Sequence, residues 1–133
     1  VSERDFSPEE VEALIPRLTA LVDGLRAAHA EAEEVRARLQ AEQQRLAMAG
    51  GGVLDQARWR ADRERLDAAA ARLQAAVEAI HAVGGVPKGI EEGLVDFPHR
   101  RDGRVVNLCW KYGETAIRWW HGMDEGYAAR KPL

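Results

Sequence analysis

Much of what would make a function easy to name is missing from this sequence. One cysteine stands among 133 residues, so no disulfide can form within the chain, and a reducing compartment suits it. No basic block occurs: 19 Lys and Arg are set against 22 Asp and Glu, a net charge of -3. That balance excludes the electrostatic footprint of a nucleic-acid protein. No apolar run approaches the ~20 residues of a membrane span. The opening VSERDFSPEE is acidic and polar, unlike a secretory signal, so a cytoplasmic protein is expected. Before residue 97 the only aromatic side chains are Phe6 and Trp59. There is no HExxH, no CxxC and no paired ExxH on a helix, so no ready-made metal motif is present.

The positive pattern is helical. In SPEE, Ser7 can cap, Pro8 takes the first helical position and Glu10 falls three after the cap, a capping box. Apolar residues then recur every seven: Val11, Leu18, Leu25, Ala32, Leu39 and Leu46, beside Leu14, Leu21, Ala28 and Val35. This is a coiled-coil-like seam. Pro16 should bend the helix near its start, or else break it there. AGGGVLD ends the helix, and Asp55 can cap a second from about Gln56 to Val83, with Trp59, Leu66, Leu73 and Ile80 as its row. Residues 8–83 therefore read as a long antiparallel helical hairpin.

At 1.5 Å per residue the first helix spans roughly 60 Å and the second roughly 42 Å. The first should overhang by about three turns, from Val11 to Leu18. By length the chain is a single domain, 1–133, so the module at 93–133 is expected to pack on that overhang. Two helices alone cannot bury both sides of the seam, so a homodimer forming a four-helix bundle is expected.

After GGVP the period changes from seven to two. LVDF, RVVNLCW and AIRWWH read as strands at about 94–97, 104–111 and 116–121, with turns at Pro98 and Asp102-Gly103 and at Gly113-Glu114. The fold class is mainly α, a helical hairpin with a small three-stranded antiparallel sheet. Simple registers set Asp96 opposite Val105 and Trp110 opposite Ile117. Val95, Phe97, Leu108, Trp110, Ile117 and Trp119 then share one face. Asp96, Asn107, Cys109, Arg118 and Trp120 share the other. A one-residue slip would exchange the faces.

GLVDFP, DGR, LCW, GE, WWH, a DEG-like turn and the terminal RKPL resemble the bacterial family known as domain of unknown function 2203. FSPEEVEALIPRL fits that family's start, and the resemblance spans essentially the whole chain. It implies a small protein with long helices and a C-terminal signature region, here including Asp96, Phe97, Pro98, Cys109, Trp110, Glu114, Trp120, His121 and Arg130. It implies no particular activity.

The candidate chemistry sits in that module. His121 with Asp96, Glu114, Asp124 and Glu125 is an imidazole with carboxylates, a donor set for zinc, manganese or iron. The plainer reading pairs Asp96 with Arg118, or lets it cap the Pro98 turn, and leaves Glu114 in its turn. Cys109 reads as a ligand or nucleophile beside His121, or as a small buried hydrophobe, and the assumed register sets the two on opposite faces. Trp120, with Cys109, Arg118 and Arg130, reads as the lining of a ligand pocket or the anchor of a protein partner. The leading expectation is metal or small-ligand binding in the C-terminal module. The rivals are a non-catalytic scaffold gripping a protein partner, and a hydrolase using the same site.

Overall fold

The computed structural model describes residues 4–50 and 52–133. Residues 1–3, part of the decapeptide read as unlike a signal, and Gly51 of the interhelical glycine cluster lie outside the described residues. The first helix, α1, is Pro8–Met48. Its capping box forms as the sequence reads: Ser7 Oγ accepts from the Glu10 amide at 3.1 Å, and Glu10 Oε1 accepts from the Ser7 amide at 2.8 Å. The helix runs unbroken through Pro16. The second, α2, is Gln56–Ala82, with the Asp55 carboxylate accepting from the Arg58 amide at 3.1 Å. The two are also tied by Arg38 to Asp62 at 2.6 Å and Arg65 to Glu31 at 2.5 Å. No helix among the described residues is long and apolar enough to cross a membrane.

The chain leaves α2 through Gly84, at φ +100°. A Cβ there would lie 2.2 Å from the Phe6 ring, so only glycine lets the chain pass under Phe6 into the sheet. The sheet has five antiparallel strands in sequential order, not three. They are β1 Val86–Gly89, β2 Leu94–Arg101, β3 Arg104–Lys111, β4 Trp119–His121 and β5 Lys131–Pro132. The two additions are short edge strands containing Pro87 and Pro132, positions where proline costs little pairing.

Pro98 lies inside β2 rather than in a turn. Its carbonyl accepts from the Phe6 amide at 2.7 Å. The nitrogen of the same residue faces that side too, so the ladder to β3 loses nothing. The turn is Asp102-Gly103 alone, both at positive φ (49° and 77°), as a two-residue hairpin requires. Asp96 therefore opposes Cys109, not Val105. This shift is even, so the faces of β2 and β3 stay as expected. The β3–β4 register differs by one residue from expectation, with Asn107 opposite His121 and Leu108 opposite Trp120. An odd shift turns the last strand over. The stretch before Trp119 is irregular rather than strand, and Ile117 reaches the core from it.

One sheet face lies on the helices. Val95, Phe97, Leu108 and Trp110 share a buried cluster with Val11, Leu18, Val22 and Leu25 of α1 and Ile80 of α2. Phe6 completes it, its ring edge-on to Phe97 at 5.2 Å. Asp96, Asn107, Cys109 and His121 alternate with these residues and are buried on the opposite face.

Candidate metal centre

Three strands each contribute one functional side chain. Asp96 sits mid-β2, Cys109 lies directly across from it on β3, and His121 ends β4. Their exposures are 2%, 1% and 2%. His121 reaches over β3, so that its Nε2 lies 3.1 Å from Asp96 Oδ1. One potential ligand atom from each of the three residues falls within 4.8 Å of the others. His121 and Cys109 thus share a face, contrary to the expected register, because β4 pairs one residue further along.

The imidazole is held from behind. Its Nδ1 lies 2.9 Å from the Gly122 carbonyl, which can only accept, so Nδ1 carries a proton. The other nitrogen, Nε2, meets the Asp96 carboxylate. A neutral imidazole with its proton on Nδ1 presents a lone pair at Nε2, the form that binds metal. Gly122 is fixed in turn by Glu125, whose Oε1 accepts from the Gly122 amide at 2.6 Å and from Lys131 at 2.6 Å. Lys131 first, and then the Gly122 amide, hold the Glu125 carboxyl below its ordinary value.

The Cys109 thiol is pushed up to about 11, first by burial and then by the Asp96 charge, against the pull of Arg130. It is therefore a thiol in the metal-free chain at neutral pH, unsuited to attack as a nucleophile. A pKa raised in this way means that the folded chain holds the thiol proton more tightly than the unfolded chain does, which contributes stability. The contribution is whole below the ordinary value of 9.0 and drains away as pH rises toward about 11. Metal-free wild-type protein should lose about 2 kcal/mol more unfolding free energy than Cys109→Ala between pH about 8 and about 11. Parallel pH profiles for the two proteins in denaturant titrations would contradict the placement of the thiol.

The other expected ligands go elsewhere. Glu114 accepts the Lys111 amide at 2.7 Å and forms a two-point pair with Arg130, at 2.7 and 2.9 Å. Arg130 also donates to the Cys109 carbonyl at 2.8 Å. Asp124 is exposed, and so is Arg118, whose carbonyl accepts from Leu133. Trp119, not Trp120, takes the His121 side of β4, with the Arg130 guanidinium 5.5 Å from its ring. Trp120 packs toward the core and is flanked by Arg101 and Lys131, each 4.8 Å from its ring, beside a cavity of about 410 Å³.

The strand alternation sets Asn107 on the polar face and gives it no role of its own. Asn107 is buried, directly across from His121 on the same face. The alternation that places Cys109 also places Asn107, and that was the available signal. No curated protein and no solved structure matches the chain. A family model described as an uncharacterized conserved protein, domain of unknown function 2203, matches residues 4–133, and the chain belongs to that family.

Proposed function

We propose that the C-terminal sheet binds one divalent metal ion through the Asp96 carboxylate, the Cys109 thiolate and His121 Nε2. The observation that carries this reading is the meeting of three different donor types, from three strands, in one buried spot. Buried polar side chains are commonly paired off, but a lone cysteine has no need of a carboxylate and an imidazole beside it. The donor set matches a borderline-soft ion. Thiolate and imidazole favour zinc or iron(II) over magnesium or calcium, and manganese is the weaker choice.

Charge supports the same class. A divalent ion bound by the Asp96 carboxylate, the Cys109 thiolate and a neutral His121 imidazole would leave the group with no net charge, which a buried site favours. Donors on one tetrahedral centre lie about 3.3–3.7 Å apart, and the three donor atoms, all within 4.8 Å of one another, come near that spacing without an ion. The test is elemental analysis of the purified chain, followed by stripping and titration with zinc and cobalt(II). One ion per chain with a sulfur-to-cobalt charge-transfer band is expected. A chain that retains no metal, and whose spectrum and melting point are unmoved by zinc, iron(II), manganese or cobalt(II), would overturn the reading.

A further inference from the structure

We infer that Arg130 is a positioning residue for this centre, whose guanidinium stabilises the metal-bound sulfur of Cys109. The inference rests on the metal reading above and adds a residue that touches no metal. Arg130 has only 11% of its side chain exposed. Its Nη1 donates to Glu114 Oε2, and its Nη2 donates to Glu114 Oε1 and to the Cys109 carbonyl. The Trp119 and Tyr127 rings flank it, at 5.5 and 4.7 Å. These contacts fix a cation against the residue that would supply the thiolate. Its third nitrogen, Nε, is buried and has no hydrogen-bond partner. An unsatisfied buried donor on a guanidinium so well held calls for an explanation.

The neighbouring sulfur supplies one. A thiol is a poor acceptor, and a thiolate is a good one. The guanidinium already bears on the Cys109 side chain, opposing what burial does to it. With a metal ion in place of the thiol proton, the sulfur would be a charged acceptor within reach of the Arg130 cation. Outer partners of this kind tune affinity and electronic character without binding the ion. The Glu114 pair has a matching purpose: it keeps the guanidinium aimed and balances its charge away from the centre. The sequence-level reading of Arg130 as a ligand-binding residue thereby becomes a supporting role at the same centre.

The experiment uses the cobalt(II)-loaded chain and compares wild type with Arg130→Gln and Arg130→Lys. Arg130→Gln should weaken cobalt(II) about 10- to 100-fold. It should also move the sulfur-to-cobalt band to lower energy, because a thiolate without its donor is the stronger electron source. Arg130→Lys keeps a cation for Glu114 but has no Nε, so it should show the same band shift with a smaller loss of affinity. It also serves where the Gln variant fails to fold. A residue that merely pins the tail would lower the melting temperature and leave the band in place; a band and affinity unchanged from wild type in both variants overturn this inference alone. A wild-type chain with no sulfur-to-cobalt band overturns the metal reading, and this inference with it.

Discussion

Trp110→Ala is expected to destabilise the fold by about 3–5 kcal/mol, the range for removing a fully buried tryptophan. That corresponds to a fall of about 10–20 °C in melting temperature for a chain of this size. Trp110 has no exposed surface. It stands in β3 opposite Val95, on the face turned toward Leu18, Val22 and Leu25 of α1, all in one buried cluster. Its indole N–H donates to the Glu114 carbonyl at 3.0 Å, and its ring meets Tyr112 edge-on at 6.4 Å. Alanine leaves a cavity on the helix side and an acceptor short of its donor.

The informative part is which signals move together. The cluster joins sheet to helices, so helical ellipticity and tryptophan fluorescence should lose stability in one shared transition. Trp59, half-buried where α2 begins at the far end of the hairpin, should cost much less when replaced by alanine. A helical transition left at its wild-type temperature in Trp110→Ala would mean that the sheet does not brace the long helix.

The helices were legible because their signals are local. A seven-residue spacing, the Ser7 and Glu10 box and the Asp55 cap need no distant partner to be read. Strands β2 and β3 were legible for a similar reason, alternation bounded by Asp-Gly. VPKG and KP were not, because four- and two-residue edge strands containing proline lack the alternation that marks a strand. The site suffered most from register. Trp119 and Trp120 are adjacent and alike, so apolarity could not say which faces the helices, and a one-residue choice separated His121 from Cys109. Nor could spacing show that Glu114 would be taken by Arg130 and Glu125 by Lys131, since those partners are set by how the tail returns over the sheet.

Those competing claims on the acidic side chains define the sharpest metal experiment. Cys109→Ser, His121→Ala and Asp96→Asn should each weaken zinc or cobalt(II) by more than about 100-fold, beyond the usual effect of an outer partner. Cys109→Ser should in addition erase the sulfur-to-cobalt band. Asp124→Asn and Glu125→Gln should leave one ion per chain, because Asp124 is exposed and Glu125 is spent on Lys131 and the Gly122 amide. His121→Ala also strands the Asp96 carboxylate in a buried place, so its metal-free form should melt lower than wild type. Affinity must therefore be read below the melting temperature of each variant, where the two effects separate. Metal content that follows Asp124 and Glu125, while surviving loss of Cys109 and His121, would move the site to the exposed turn and away from the buried face of the sheet.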